Sequence, residues 1–351
     1  MSADQDRAPL TVTALTVLIG ALGAASAYAL SLPAWILLGP ALLVSLAALG
    51  GLRLAIADPV RDACFVILGL AIGAGFDPAA SGAMLRWPMA FVVLAVMLVV
   101  TMVICRAILL RGFGFDARSA ALAAAPGHLS FVLGMAADLR MNVGRIAVVQ
   151  SIRLLFLTLS VPFIAQALGY DFSSISLSDS PPMRLPVLVG LALASLLVGA
   201  LFRKLRLPAP LLMAAMAVSA LGHIGDWTPG SVPNVLQWPA LMILGTLIGT
   251  RFSGMSRAQF TASLMAGIST TFVSVAVASL AAIPVAMALG MPAAHVLAAF
   301  SPGGLETMVA LGATMGASPG FVAACHVARL LILVVLIPLF VGRARSDVAP
   351  S

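Results

Sequence analysis

The sequence predicts an all-α polytopic membrane protein built from two inverted repeats. Of its 351 residues, 62% are hydrophobic and 9% are charged, and the mean hydropathy is +1.13, whereas soluble domains carry about 25% charged residues. Apolar runs recur from Leu10 to Val341 without a long polar block between them, and sequence motifs recur at a constant offset. This composition excludes a soluble globule and leaves no room for a second, soluble domain.

The net charge of +7 raises the question of nucleic-acid binding. The 19 Lys and Arg residues, however, stand singly or in small groups between apolar runs, as they do in cytoplasmic membrane loops. We therefore expect no nucleic-acid partner. The cysteines Cys64, Cys105 and Cys325 are far apart in apolar segments, so they predict neither a disulfide framework nor a CxxC metal site.

Two motifs align without a gap when the sequence is shifted against itself by 176 residues. The matching residues are Ile67–Phe76 with Ile243–Phe252, Pro126-Gly127 with Pro302-Gly303, Arg153 with Arg329, and Pro162 with Pro338. Coincidence of Leu and Ala is common in such a composition, but coincidence of Pro, Gly, Phe and Arg at one offset is not. We interpret residues 1–175 as the first membrane repeat and residues 176–351 as the second, within one integrated membrane domain.

Each repeat contains six apolar segments. They cover roughly 10–31, 33–51, 60–76, 88–110, 119–137 and 146–168 in the first repeat, and 186–202, 208–225, 235–250, 260–290, 293–315 and 321–341 in the second. Equivalent loops differ in charge: residues 106–118 contain three arginines, whereas residues 282–294 are uncharged. Because basic loops favour the cytoplasmic side, the two repeats are predicted to be inverted.

Six full crossings per repeat would make the repeats parallel, so one segment of each repeat must fail to cross. The fifth segment carries the helix-breaking Pro126-Gly127 or Pro302-Gly303-Gly304, and we predict that it is re-entrant. The protein then has about 10 spanning helices plus two re-entrant or broken helices, with both termini cytoplasmic. A fully crossing, unwound helix is the alternative, with some other segment failing to span.

Two arginines are the strongest candidates for function inside the membrane, where an ionisable side chain costs about 2.5–3.5 kcal/mol on insertion scales. Arg153 lies eight residues past Arg145, or about 12 Å along a helix, and Arg329 is its equivalent. In one interpretation each arginine snorkels or ties a neighbouring helix to backbone carbonyls. In the other, the pair presents guanidinium forks to an anionic substrate.

The Pro-Gly breaks are the second element of the predicted site, because a break frees backbone groups and creates half-helix ends that need water or a ligand. A kink without a ligand is the alternative. The predicted substrate-binding residues are Arg153, Arg329, Pro126, Gly127, His128, Ser130, Ser301, Pro302, Gly303, Gly304 and Thr307.

Glu306 is the one glutamate of the chain. It is either the group that couples H⁺ or Na⁺ to transport or the counter-charge of Arg329. His128 could shuttle protons, and His326 lies near Arg329 in sequence, although a histidine in a helix bundle is more often a packing residue. The four histidines form no HxxxH or ExxH pattern, so we expect no metal, no cofactor and no enzyme activity.

These residues resemble the bacterial membrane AbrB-duplication family over essentially the whole chain. The resemblance rests on the two Ile-Leu-Gly motifs and above all on Ser301-Pro302-Gly303-Gly304-Leu305-Glu306, followed by His326, Arg329 and Pro338. The first copy departs from the family pattern, because His128 stands where the second glycine would be. The family is labelled as AbrB-type regulators or ammonia monooxygenases, which implies regulation of gene expression through a partner or, with no copper-ligand set in its support, membrane oxygenation.

More remotely, the Pro-Gly-Gly break followed by a Pro-terminated helix is similar to the bile-acid sodium symporters, which also combine inverted repeats with interrupted helices. That resemblance implies transport, although architecture alone does not establish it. Our leading interpretation is a secondary transporter or exporter of a small anionic organic solute in the bacterial cytoplasmic membrane, with the lipid bilayer and H⁺ or Na⁺ as further partners. The sequence leaves both a monomer and a homodimer as alternatives, since no segment shows a decisive GxxxG face.

Overall fold

The computed structural model describes residues 9–75, 87–127, 129–170, 181–205 and 207–343. Within these residues the expected all-helical architecture is confirmed, and the one β-type pairing is an isolated bridge between Pro182 and Ser231. The described helices are α1 (Leu10–Ala29), α2 (Trp35–Leu49), α3 (Asp58–Gly73), α4 (Trp87–Phe113), α5 (Ala117–Ala124), α6 (Leu129–Asp138), α7 (Val143–Ala167), α8 (Leu185–Lys204), α9 (Pro210–Ile224), α10 (Asn234–Thr250), α11 (Arg257–Leu289), α12 (Ala293–Phe300), α13 (Leu305–Thr314) and α14 (Pro319–Arg343).

Six helices in the described part of the chain are long and apolar enough to cross a membrane: α1, α4, α7, α8, α11 and α14. Their apolar lengths run from 20 to 33 residues, and a hydrocarbon core about 30 Å thick requires about 20. The helices α2, α3, α9 and α10 are shorter, with 15 to 17 residues. The sequence is therefore that of a helical membrane protein, while the expected number of spans stays a prediction.

Helices at equivalent places in the two halves of the sequence have similar lengths. α5 and α12 have eight residues each, α6 and α13 have ten, and α7 and α14 have 25. Four pairs of helices also begin 176 residues apart, the offset of the sequence motifs; their first residues are Asp58 and Asn234, Ala117 and Ala293, Leu129 and Leu305, and Val143 and Pro319.

The fifth apolar segment of each half is a pair of short helices. α5 ends before Pro126-Gly127, and α12 ends before Pro302-Gly303. Proline ends a helix because it lacks the N–H that would continue the hydrogen-bond ladder. Gly127 has a φ of 115°, a conformation that glycine adopts without the steric cost of a Cβ. Each segment is thus broken at the predicted residues, and whether the chain returns to the same side stays a prediction.

The chain divides into two compact units. Unit 1 comprises residues 1–81, 162–254 and 305–320, and unit 2 comprises residues 82–161, 255–304 and 321–351. Each unit combines residues from both halves of the sequence. The second helix of the break falls in unit 2 in the first half (α6) and in unit 1 in the second half (α13). The interpretation of 1–175 and 176–351 as repeats stays a prediction.

Unit 1 depends on close contacts between helices at small residues. α3 packs on α9, and α1 packs on α2. A Cβ added to Gly69 of α3 would collide with the carbonyl oxygen of Leu212 and would lie 2.6 Å from the Cβ of Ala215, both on α9. Because the obstacle includes backbone, it cannot rotate away, and the two helices can approach this closely only at a residue without a side chain.

We expect Gly69→Ala to destabilise the protein by about 1–3 kcal/mol, the usual cost of overpacking. The midpoint of thermal unfolding in detergent measures the effect. Gly190→Ala is the matched control, since a Cβ at Gly190 of α8 meets nothing within 4 Å and alanine has the higher helix propensity. Equal stability of the two variants would contradict the packing argument.

Unit 2 buries its short helix α5 almost completely. The side chains from Ala120 to Ala125 are buried in one hydrophobic cluster with residues of α4, α6, α7, α11 and α14. Asp116 caps α5, because its Oδ2 accepts a hydrogen bond of 3.0 Å from the backbone N–H of Ser119. Partial burial raises the pKa of Asp116, but hydrogen bonds from the hydroxyl and backbone of Ser119 outweigh it and lower the pKa below the ordinary value.

We expect Asp116→Ala to cost about 1 kcal/mol of stability at neutral pH through loss of the cap. Since the pKa is lower in the folded chain than in the unfolded chain, the carboxylate stabilises the fold above the unfolded pKa of about 3.9 and loses this effect as the pH falls further. Unfolding midpoints at pH 7 and pH 3 should show the penalty shrinking at low pH. Asp138→Ala, at the exposed end of α6, should show no such penalty.

Candidate functional site

The two predicted arginines both lie in the interior of unit 2. Arg153 on α7 has 1% of its surface exposed, and Arg329 on α14 has 2%. Each is ten residues past the first residue of its helix, Val143 or Pro319. The two guanidinium groups are close enough to act on each other electrostatically. Unit 2 thus buries two like charges near each other.

Arg329 binds the backbone of the second break. Its Nη1 donates a hydrogen bond of 2.6 Å to the carbonyl oxygen of Ser301, and its Nη2 donates one of 3.0 Å to the carbonyl oxygen of Gly303. The first break lies against the same guanidinium, because a Cβ at Gly127 would be 3.2 Å from Nε of Arg329. The structure therefore brings Arg329 together with Gly127, Ser301 and Gly303 of the predicted site.

Arg153 reaches the first break through a glutamine. Its Nη2 donates a hydrogen bond to Oε1 of Gln150, one turn earlier on α7. The amide Nε2 of Gln150 in turn donates hydrogen bonds of 3.0 Å to the carbonyl oxygens of Leu122 and Ala125 at the end of α5. Sequence reasoning did not include Gln150 in the site. The available signal was a polar amide three residues before a predicted intramembrane arginine, on the same helix face.

His326 takes the place of Gln150 in the second copy, three residues before Arg329. Its side chain is completely buried, and its Nδ1 lies 2.9 Å from the carbonyl oxygen of Val322. Because a carbonyl oxygen only accepts, Nδ1 carries the hydrogen, which leaves Nε2 of the neutral ring as an acceptor. That Nε2 is buried without a hydrogen-bond partner among the described residues.

Unpartnered polar atoms concentrate around the two arginines. In the described part of the chain five buried side-chain polar atoms lack a partner, and four of them are Nε of Arg153, Nε of Arg329, Oγ of Ser301 and Nε2 of His326. Leaving such a group unsatisfied costs about 1–3 kcal/mol. The cluster therefore offers three donors and one acceptor to water or to a small polar ligand.

The buried positive charge of unit 2 has no carboxylate against it among the residues of that unit that the structure describes. Between the described residues of unit 2 the acidic side chains are Asp116 and Asp138. Asp116 caps α5, and neither acid forms an ion pair with Arg153 or Arg329. Backbone carbonyls satisfy guanidinium hydrogens without cancelling the charge, so among the described residues of unit 2 the two arginines have no ion-pair partner.

The other predicted residues are divided between the two units. Pro126 and Pro302 are buried in unit 2, and Gly304 is half-buried there. His128 lies outside the described residues, and of Ser130 only its place in α6 is described. Glu306 and Thr307 begin α13, in unit 1, with Glu306 half-buried and Thr307 buried.

Glu306 and Thr307 line an open cavity of about 600 Å³ within unit 1. Charged residues of both signs share its wall, together with apolar residues of α3, α9 and α10. Sequence reasoning singles out only Glu306 and Thr307 among the cavity residues. The other charged residues lie at or near helix ends, where they resemble ordinary loop charges, and the apolar ones resemble packing residues. The lining residues are Asp58, Arg61, Asp62, Phe65, Arg203, Ala209, Pro210, Leu211, Leu244, Leu247, Ile248, Arg251, Glu306 and Thr307.

A family model described as "Transition state regulatory protein AbrB" matches residues 35–345. The chain belongs to this family. Within the described residues of this AbrB-family chain, no group of three or more His, Cys, Asp or Glu side chains is placed to hold a metal ion.

Two relatives extend the comparison. The "Putative regulator AbrB" of Escherichia coli (strain K12) is 24% identical over 327 residues, which cover 92% of this chain and 93% of the relative. The "Uncharacterized protein YhjN" of Bacillus subtilis (strain 168) is 26% identical over 245 residues, which cover 64% of this chain and 63% of the relative. No solved structure matches the AbrB-family chain, so the resemblance to bile-acid symporters stays a prediction.

We expect Gln150→Leu to destabilise the AbrB-family chain by about 1–3 kcal/mol, because it removes the side-chain donor to the carbonyl oxygens of Leu122 and Ala125 and leaves Arg153 without its acceptor. The carbonyl oxygen of Leu122 keeps its hydrogen bond of 3.3 Å from the backbone N–H of Ala125. Thermal unfolding in detergent measures the loss. Gln166→Leu, at an exposed position of the same helix, is the matched control and should be nearly neutral. If both variants unfold at the same temperature, Gln150 does not hold the break.

Proposed function

We propose that the protein is a secondary transporter or exporter of a small anionic organic solute across the bacterial cytoplasmic membrane. The observation that carries the proposal is the pair of buried arginines in unit 2, whose Nε atoms have no hydrogen-bond partner and which have no carboxylate against them among the described residues of that unit. Buried charges are retained where they are paired or functional, since an unpaired ion at membrane depth is costly. An anionic ligand removes that cost.

The chemistry of the cluster suits a carboxylate. A guanidinium donates in a planar fork that matches two carboxylate oxygens, and each arginine has an Nε–H left to donate. The hydroxyl of Ser301 adds a third donor beside the carbonyl that Arg329 holds. Around these side chains we assign supporting roles to the backbone of Pro126, Gly127, Pro302, Gly303 and Gly304, which interrupts the helices where the ligand would lie.

The repeated helix order supports transport by alternating access. In transporters with inverted repeats, broken helices meet at the middle of the membrane and the repeats exchange conformations. Here the order of helix lengths recurs, four pairs of helices begin 176 residues apart, and a basic loop of one half corresponds to an uncharged loop of the other. We extend this to about 10 spanning helices and cytoplasmic termini, following the placement of the basic loops.

Glu306 is our candidate for coupling transport to H⁺ or Na⁺. It lies in the first turn of α13, directly after the second break, and it lines a cavity of unit 1 that is open to its surroundings. A carboxylate in an open, polar cavity exchanges protons or cations with bulk solvent, which a coupling group has to do.

Regulation of gene expression through a partner is the second candidate, because the family description and the printed name of the Escherichia coli relative both refer to regulation. The partner would have to bind short loops, because the connections between helices that are described in full have at most nine residues, as in residues 225–233. Co-purification of a soluble protein with the intact membrane protein, lost on substitution of loop residues, would favour regulation over transport.

Flux measurements on proteoliposomes test the transport proposal. We expect saturable uptake or exchange of labelled monocarboxylates and dicarboxylates by the reconstituted protein, reduced about 10- to 100-fold in Arg153→Gln and in Arg329→Gln, which corresponds to loss of one charge-assisted hydrogen-bonded pair. Arg329→Lys keeps the charge but loses the fork, so it should raise KM more than it lowers the maximal rate.

Arg111→Gln is the matched control, since Arg111 is exposed at the end of α4, and it should leave flux unchanged. Size-exclusion profiles and unfolding midpoints confirm that each variant is folded. Full carboxylate flux through the folded double variant Arg153→Gln, Arg329→Gln would reject these residues as the solute site.

A further inference from the structure

We infer that the cavity of unit 1 is a binding site for a small zwitterion with an apolar side chain, such as an apolar α-amino acid. The inference goes beyond the proposed function, whose anion site lies in unit 2. It rests on which charges of the cavity neutralise each other, which do not, and what the rest of the wall is made of.

Four of the six charged residues of the cavity form one ion-pair network. Arg61 lies 2.7 Å from Asp58 and 2.9 Å from Asp62, measured from guanidinium nitrogen to carboxylate oxygen. Arg203 lies 3.5 Å from the second oxygen of Asp62. Two cations and two anions cancel, so this network contributes no net charge to the cavity.

Arg251 and Glu306 are the remaining charges. Arg251 directly follows α10, Glu306 lies in the first turn of α13, and these two helices are in contact. The two side chains act on each other electrostatically, yet they form no ion pair and no hydrogen bond within the described residues. As far as the described residues show, the cavity therefore holds one cation and one anion outside the network, at a separation wider than direct contact.

That arrangement complements a zwitterion. The guanidinium of Arg251 suits a carboxylate, and the carboxylate of Glu306 suits an ammonium group. A simple anion would leave Glu306 unpaired and repelling it, and a simple cation would be repelled by Arg251 in the same way. The ammonium group of a bound zwitterion takes the place of H⁺ or Na⁺ at Glu306, so the zwitterion competes with the coupling cation of the proposed function for this carboxylate.

The rest of the wall accommodates an apolar group. Phe65, Leu244, Leu247 and Ile248 line the cavity beside the charged residues. The volume of about 600 Å³ lies within the range of about 300–1,000 Å³ that is typical of small-molecule sites, which are apolar with a few placed polar groups. A branched aliphatic side chain fits this lining better than a polar one.

The two free charges are present in only one half of the sequence. The residues 176 positions before Arg251 and Glu306 are Gly75 and Ser130, which carry no charge. The repeat therefore does not generate a second such pair, and the stoichiometry follows: one zwitterion binds per chain.

Equilibrium binding to the purified full-length protein in lipid nanodiscs tests the inference with three labelled probes of one shape. L-leucine carries both charges, 4-methylpentanoate lacks the ammonium, and 3-methylbutylamine lacks the carboxylate. We expect saturable leucine binding near one per chain and about 10- to 100-fold weaker binding of the other two, since each lacks one charge-assisted contact.

Arg251→Gln and Glu306→Gln should each weaken leucine binding about 10- to 100-fold. Their matched controls are Arg53→Gln and Asp226→Asn, exposed charges of unit 1 that do not line the cavity, and both should bind leucine as the wild type does. Unfolding midpoints exclude variants that have simply lost their fold.

Four outcomes would overturn the inference: no saturable binding of leucine, equally tight binding of 4-methylpentanoate, equally tight binding of 3-methylbutylamine, or binding lost in Arg329→Gln but retained in Arg251→Gln. Because binding is measured without transport, its result is separate from the flux result. Leucine binding that depends on Arg251 and Glu306 in a protein without carboxylate flux would support this site and contradict the proposed function. Carboxylate flux that depends on Arg153 and Arg329 in a protein that does not bind leucine would support the proposed function and contradict this site.

Discussion

The hydrogen bonds that buried polar side chains donate to the carbonyl oxygens of broken helices are the interaction on which unit 2 depends. A helix broken inside an apolar protein leaves carbonyl oxygens without donors, and lipid offers none. Arg329 donates two such hydrogen bonds directly, to the carbonyl oxygens of Ser301 and Gly303. Arg153 donates to the side chain of Gln150, which in turn donates to the carbonyl oxygens of Leu122 and Ala125. The breaks and the arginines therefore explain each other: each satisfies polar groups that the other introduces.

This mutual support leaves a charge that the fold does not cancel. Hydrogen bonds to uncharged acceptors satisfy guanidinium hydrogens, but two cations near each other still repel, and their Nε atoms have no partner in the described part of the chain. The two interpretations of the arginines are thus not exclusive. The same side chains tie the helices together and keep unused donors, which is the combination that a pre-organised anion site requires.

The two copies of the break are equivalent in position but not in chemistry. In the first copy Gln150 connects Arg153 to the carbonyl oxygens of the break, whereas in the second copy Arg329 binds the carbonyl oxygens directly and His326 lies against Val322. The second helix of the break belongs to unit 2 in the first copy and to unit 1 in the second. Arg251 and Glu306 have uncharged counterparts, so these two charges of the open cavity of unit 1 occur in only one half of the sequence. The two halves therefore differ in the polar groups that accompany each break.

The sequence by itself determined the helical class, the position of both breaks and the candidate arginines, because hydrophobic runs, Pro-Gly pairs and rare intramembrane charges act locally and leave local signals. The family resemblance was equally visible in Ser301–Glu306 and is confirmed by the match over residues 35–345. Only the tertiary structure decided that Gln150 serves Arg153, that Gly127 lies against Arg329, and that Arg251 and Glu306 share one cavity with a neutral ion-pair network. These relations join residues up to 248 positions apart, and such distances in the chain acquire meaning only when packing brings the helices together.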